Sequence, residues 1–321
     1  MLNYPTLSDI REAAQRIKPY VKTTPVLTCA GLDRIIGARL FFKCENFQKV
    51  GAFKFRGATS AVFSMPEEEV VKGVATHSSG NHGAALALAA RNRGVKAFVV
   101  MPKTSLKAKR AAVAGYGAEI TFCEPTLKSR ETTLARVIEE TGAVFIHPYN
   151  DYRIIAGQGT AALELLEEIA DLDVVMAPIG GGGLMSGTAL TVSELSPKAK
   201  IIGAEPEGAD DAYRSIQEGR IVPSVNPRTI CDGLLTSLGD KTFPIIRERV
   251  EQIITVSDEA IVSAMRHIWE RMKIVIEPSA AVPFGALLES KIDLKGKRIG
   301  IIISGGNVDL ERLPWLPMNR E

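Results

Sequence analysis

The chain has 321 residues, 45% of them hydrophobic, enough for a substantial core and roughly two domains of ordinary size. Its 39 basic residues nearly cancel 37 acidic ones, leaving +2, and no long basic run is present to track a phosphate backbone, which argues against a nucleic-acid partner. Four widely spaced cysteines without a CxxC pair indicate neither a zinc site nor a disulfide framework, and no apolar run reaches the roughly 18 residues that span a bilayer. With Asp9, Arg11, Glu12 and Arg16 crowding the first turns, a cytoplasmic protein with reduced thiols and no cleaved signal is expected.

The first informative stretch is "GAFKFRGA", residues 51–58. Lys54 between two phenylalanines reads either as a solvated lysine on a strand edge or as an amine held against apolar surface. In the second case lost hydration lowers its pKa and makes it nucleophilic. From about residue 70 short β-branched runs alternate with amphipathic stretches ("GVATHS", "AALALAARNRG", "KAFVVMP" and onward to "AVFIHP"), the pattern of strands and crossover helices in a parallel sheet. Gly94, Gly117 and Gly142 each close an amphipathic segment as left-handed caps. Within this unit "THSSGNHGAALALAA" runs a strand into Ser78, Ser79, Gly80 and Asn81 and then a helix, so hydroxyls, an amide and free helix-start N–H groups converge where a carboxylate would sit. An ordinary N-cap accounts for the same residues, and a serine hydrolase is disfavoured because GxSxG is absent around Ser79.

A second series starts at "GQGTAALELLEEIA" and ends on "KRIGIIIS". An α/β fold is expected, with residues 1–68 and 151–321 forming a larger domain and 69–150 a smaller one inserted in it. In the second series "APIGGGGLMSG", residues 177–187, places four glycines between a buried strand and a helix, which exposes a row of amides at a helix start and makes a phosphate cradle. Glu205, near the end of "IIGAEPE", stands where a Rossmann unit keeps its ribose-binding acid, but the glycine spacing departs from the dinucleotide fingerprint. The loop "IIISGGN", residues 301–307, again follows an apolar strand, and such carboxyl ends line the ligand crevice of open α/β sheets.

A lysine, a phosphate cradle and a carboxylate site together describe a pyridoxal phosphate enzyme acting on an amino acid. On "FQKVGAFKFRGA", "SSGNHG", "IAGQGT", "GGGGL", "AEPEGADD", "IEPSA" and "SGGNVDL", the chain resembles the fold type II pyridoxal phosphate enzymes, in the group of serine racemase, threonine dehydratase and threo-3-hydroxyaspartate dehydratase. The resemblance implies a two-domain, tryptophan synthase β-like fold of mostly parallel sheets with helices on both faces. It makes Lys54 the internal Schiff base lysine, with Phe53 flanking the cofactor ring, Asn81 on its phenolic oxygen, and Gly180, Gly181, Gly182, Gly183 and Leu184 on its phosphate. Ser304 would face the pyridine nitrogen, and Ser78, Ser79, Gly80, Asn81 and His82 the substrate carboxylate. Lys54 and Ser79 would work on opposite faces of the α-carbon, so dehydration and racemisation share one carbanion. By the same resemblance Glu205, Ala209 and Asp211 hold magnesium or calcium, and Arg130 reaches the substrate, where a β-carboxylate would suit it. Lys49, Lys109 and Tyr116 stand at positions that bind ATP between subunits of a homodimer, although "TCAGLD" departs from the hydroxyl-rich pattern of eukaryotic racemases. The expected activity is conversion of serine, threonine or 3-hydroxyaspartate to an α-keto acid and ammonia. A nicotinamide oxidoreductase and a non-catalytic amino-acid-binding regulator are the alternatives; a yellow Schiff base bleached by borohydride separates the first reading from both.

Overall fold

The computed structural model describes residues 4–78, 80–105, 107–290 and 292–316. In chain order its strands are β1 (Val26–Leu27), β2 (Arg39–Cys44), β3 (Val74–His77), β4 (Ala97–Pro102), β5 (Glu119–Cys123), β6 (Val144–Phe145), β7 (Val174–Pro178), β8 (Lys200–Pro206), β9 (Gln252–Val256) and β10 (Arg298–Ile303). They make two sheets, ordered β1-β2-β10-β7-β8-β9 and β5-β4-β3-β6. Every pairing is parallel except β1 with β2.

In the larger sheet β10 lies between β2 and β7, with Ile301 opposite both Phe42 and Met176. A strand with neighbours on both edges and layers on both faces must be apolar throughout, and after Arg298 all of β10 is buried. Side chains alternate between the faces. Phe42, Met176, Ile202, Ile254 and Ile301 pack with Ile261, Met265 and Phe284 from helices Asp258–Met272 and Pro278–Leu288. Phe41, Val175, Ile253 and Ile302 face the other way, onto Leu165, Met185 and Val192 from helices Tyr152–Glu168 and Gly183–Leu195. Each such side chain contributes about 1.5–3 kcal/mol on burial, so the two layers dominate the stability of this sheet.

The smaller sheet is covered on one side by helix Asn81–Arg93 and on the other by helix Leu127–Thr141, whose Leu134 and Val137 pack against Ala75, Phe98 and Val100. Gly94 and Gly142 end these helices in the left-handed conformation, at φ +77° and +69°. Helix Lys54–Ser64 ties the cores together. Its Phe55, Ala58 and Val62 meet Leu86 and Ile154, and it crosses helix Tyr152–Glu168 at a glycine pair, where a Cβ on Gly157 would stand 2.7 Å from the Gly57 Cα. Among the described residues no helix is long and apolar enough to cross a membrane, and all four cysteines are free.

Candidate active site

The approach to Lys54 is sharply bent. Val50 and Gly51 both adopt the left-handed conformation, at φ +58° and +69°, a costly choice for a β-branched residue. The Asn307 amide holds the bend by donating to the Val50 carbonyl at 2.7 Å, and Ala52 then bridges Gly305 while Phe53 N donates to the Ser304 carbonyl. Lys54 opens helix Lys54–Ser64 and is not on a strand edge. Its ammonium is half-buried, 5.2 Å from the Phe53 ring centroid, and donates to the Pro148 carbonyl at 2.8 Å. Burial lowers its pKa from 10.5 to about 8, with the Glu277 carboxylate opposing part of the fall.

Two residues on, Arg56 is wholly buried between Glu45 and Glu164, with 2.7 Å contacts to each, and Lys43 meets the same Glu164 at 2.6 Å. Two positive and two negative side chains thus cancel inside the protein. Losing one partner would strand a buried charge, at about 3–5 kcal/mol. The cluster therefore fixes the start of the helix that presents Lys54.

The glycine loop follows β7 and leads into helix Gly183–Leu195, with Gly182 at φ +86° as its cap. A Cβ on Gly181 would lie 2.4 Å from the Tyr149 ring, and one on Gly180 would lie 3.0 Å from the Leu234 Cα. Side-chain-free residues thus serve both a close-packed tyrosine and access to the amides at the helix start. Leu184 is buried behind the loop, and Ser304 is buried at the carboxyl end of β10.

The Ser78 hydroxyl accepts from the N–H groups of Gly80 and Gly83 at 3.1 and 3.0 Å and so shapes the loop that leads into helix Asn81–Arg93. Ser79 lies outside the described residues. Gly80 is crossed by the Lys109 side chain, whose Cδ would be 2.3 Å from an added Cβ. The Asn81 amide nitrogen donates to both Glu277 oxygens, at 2.9 and 3.1 Å, while its oxygen accepts from Asn307 at 3.0 Å. Burial pushes the Glu277 carboxyl up to about 7, against the pull of the Lys109 ammonium. His82 is buried, with Nε2 3.4 Å from the Ile146 carbonyl and Nδ1 without a partner, and burial holds it well below the ordinary histidine range. Sequence reasoning assigned nothing to Glu277, Asn307, His147 or Tyr149. Glu277 had a signal, an acid directly before the proline of "IEPSA", at the start of helix Pro278–Leu288.

Arg130 lies on helix Leu127–Thr141 with its Nε buried and unpartnered, close enough to His77 to lower that imidazole further. Glu205 ends within β8, and its two oxygens accept from Ala212 and Tyr213 N–H at 3.0 and 2.9 Å. Asp211 is buried beside it, with neither carboxylate oxygen in full hydrogen-bond geometry and only the Ser224 side chain near enough to ease its charge, and Ala209 is buried between them in sequence. Desolvation pushes Asp211 up to about 7, while Glu205 is raised first by burial and then by Asp211. Two like-charged carboxyls buried together, one of them short of donors, suit a cation. Of the expected nucleotide positions, Lys109 is buried in an ion pair with Asp232, Lys49 lies over the Phe55 ring, and Arg91 covers Tyr116. A cleft of about 130 Å³ lined by Val50, Asn81, Lys109, Asn307 and Asp309 opens beside them.

The model of the pyridoxal-phosphate dependent enzymes matches residues 17–305. The beta-hydroxyaspartate dehydratase of Paracoccus denitrificans is 53% identical over 97% of this chain and 99% of that protein. The L-threo-3-hydroxyaspartate ammonia-lyase of Saccharomyces cerevisiae is 48% identical over 99% and 98%. The crystal structure of serine racemase from Dictyostelium discoideum superposes with a TM-score of 0.91 at 51% identity, covering 95% of this chain and 99% of that one. The oxidoreductase alternative falls with these matches, and Glu205, engaged with two backbone N–H groups, has no ribose to serve. The cofactor fits the residues present: a run of glycines at a helix start, packed too closely on Tyr149 and Leu234 to carry side chains, suits its phosphate, and a half-buried amine of lowered pKa its aldehyde. By sequence, fold and this fit, the chain belongs to the pyridoxal-phosphate dependent enzyme family.

Proposed function

We propose that this enzyme dehydrates 3-hydroxy amino acids such as serine, threonine and threo-3-hydroxyaspartate to α-keto acid and ammonia, and racemises serine- or aspartate-type amino acids. The reading is carried by one observation: the Lys54 amine, of lowered pKa, is held by the Pro148 carbonyl directly before the Tyr149 that packs on Gly181 of the glycine loop, and lies close enough to His82 to lower that imidazole. When bound, pyridoxal phosphate supplies the electron sink for charge developing at the substrate's α-carbon. Backbone N–H groups at Gly180–Leu184 hold its phosphate. Phe53 flanks its ring, and Asn81, oriented by Glu277 and Asn307, offers an amide hydrogen to its phenolic oxygen. Ser304 presents a neutral hydroxyl rather than a carboxylate to the ring nitrogen, so delocalisation into the ring is reduced and loss of a β-hydroxyl competes.

Lys54 takes and returns the α-proton on one face, which an amine with a pKa near 8 does well at neutral pH. The Ser78–His82 loop and its helix start bind the α-carboxylate. Ser79 serves the opposite face, as the sequence resemblance implies. Arg130 offers a positive charge to a β-carboxylate. The Glu205–Asp211 loop holds magnesium or calcium, supported by the unsatisfied Asp211 oxygens, and the four-stranded sheet is the small domain that closes on substrate. Two copies form the working dimer in the cytoplasm. A nucleotide phosphate reaching Lys109 must compete with Asp232, so ATP acts as a modest activator at most.

The test is a panel of serine, threonine and threo-3-hydroxyaspartate with the holoenzyme, following keto-acid release and the chirality of the amino acid left. Release from at least one of them, with partial inversion of serine or aspartate, is expected. If none yields keto acid and none is inverted, the proposal is wrong.

A further inference from the structure

The end of the small sheet carries two histidines, His77 and His147, that the functions assigned so far do not use. β3 and β6 are adjacent and parallel, with Ala75 opposite Phe145, and the Thr76 hydroxyl donates to the Ile146 carbonyl at 2.8 Å. Continuing that register by two residues sets His77 beside His147 at the carboxyl end of the strands, and their ring centroids are 6.2 Å apart. The next carbonyl along from His147, that of Pro148, is the one that holds the Lys54 ammonium.

The tautomer of His147 is fixed by its neighbours. Nδ1 accepts from the N–H of Asn150 at 2.9 Å and of Tyr149 at 3.3 Å, so in the neutral ring the hydrogen sits on Nε2. No hydrogen bond among the described residues occupies that Nε2–H. The ring stays neutral, because burial, His77 and Lys54 together bring it down to about 4. His77 is likewise down to about 4, through burial and then Arg130. The cluster therefore holds two neutral imidazoles and one guanidinium. Arg130, the cation beside His77, and the neutral donor of His147 suit an extra carboxylate, while Lys54, Lys241 and Asp151 are the charges on the His147 side.

We propose that His147 donates from Nε2–H to a carboxylate carried on the substrate's β-carbon, with Arg130 beyond His77 as its charged counterpart, and that this pair selects 3-hydroxy amino acids bearing that second carboxylate. A neutral imidazole is too weak an acid to give up this proton, so His147 binds and orients while the proton for the departing hydroxyl comes from elsewhere. The assignment rests on the dehydration reading above and names the substrate class for it.

Two isosteric substitutions separate donor from scaffold. His147→Asn keeps an acceptor near Nδ1 for the backbone N–H groups but removes the Nε2 donor; His147→Gln places an amide N–H near Nε2 but loses the acceptor. In the holoenzyme, His147→Asn is expected to lower kcat/KM for threo-3-hydroxyaspartate by about 10- to 100-fold while changing that for serine by less than about threefold. The loss should appear mainly in KM. His147→Gln should keep the ratio between the two substrates within about threefold of wild type, even if its thermal stability falls. Succinate should raise the melting temperature of the wild-type holoenzyme more than that of His147→Asn. An unchanged ratio in His147→Asn, or equal losses on both substrates, overturns the His147 assignment alone. A wild-type enzyme that releases keto acid from neither substrate overturns the dehydration reading beneath it.

Discussion

Replacing Lys54 with methionine should stabilise the cofactor-free protein while destroying its activity. The half-buried ammonium has its pKa lowered from 10.5 to about 8, so folding disfavours the charged form by about 3 kcal/mol. For a base whose folded pKa is depressed, the unfolded chain binds more protons between the two values, so wild-type stability rises with pH across roughly 8 to 10.5. Linkage puts the penalty at about 3 kcal/mol at pH 7 and about 1 kcal/mol at pH 9.5. Methionine fills a similar volume, and the lost hydrogen bond to Pro148 gives back about 1 kcal/mol. Lys54→Met should therefore gain about 2 kcal/mol at pH 7 and almost nothing at pH 9.5. Urea unfolding of cofactor-stripped wild type and variant at the two pH values measures this directly. A gain that is absent at pH 7, or equal at both, would show that the amine is solvated and that its place in the apolar wall has been misread.

Three further outcomes are expected. Gly181→Ala drives a Cβ into the Tyr149 ring, so its dissociation constant for pyridoxal phosphate, followed by cofactor absorbance, should rise at least about tenfold; Tyr149→Ala in the same chain should recover part of the loss, and no recovery would place the fault in the cradle itself. Asp211→Asn removes a buried, unsatisfied carboxylate, so in chelator it should melt several degrees higher than wild type, by about 2–4 °C per kcal/mol, yet lose the stabilisation that magnesium or calcium gives wild type; a variant still raised by the ion would remove Asp211 from the cation site. Ser79→Ala should keep much of the L-substrate dehydration but lose racemisation and D-substrate dehydration by about 10²- to 10⁴-fold, read as α-proton exchange of L- but not D-serine in deuterated water; equal loss for both hands would mean that Ser79 acts through carboxylate binding.

The parallel sheets and the glycine loop were legible because their signals are local: β-branched runs, capping glycines, and four consecutive glycines between strand and helix. The setting of Lys54 was less so. "AFKF" alternates like a strand, and what makes Lys54 begin a helix is the bend at Val50 and Gly51, pinned by Asn307 from 257 residues away. Arg56, an unremarkable charge in sequence, becomes one of the largest fully buried side chains through Glu45 and Glu164. Helix Pro278–Leu288 gave no periodic pattern because it is buried on all sides and carries Pro283 inside it. Glu277 and His147 escaped notice for a common reason. Their partners come from other segments or from backbone groups, and no spacing rule encodes either.

The central position of β10 also sets an order of assembly. As the chain emerges from a ribosome, the four-stranded sheet has all its strands once residue 145 is out. The six-stranded sheet cannot close until Arg298–Ile303 arrives, because β2 and β7 meet only through β10. At about 5–20 residues per second, that leaves an interval of roughly six to twenty-five seconds after β7 emerges in which both strands offer unpaired edges and apolar faces. The nascent protein should therefore lean on chaperones over that interval, and substitutions in β10 should lower soluble yield out of proportion to their effect on the finished molecule.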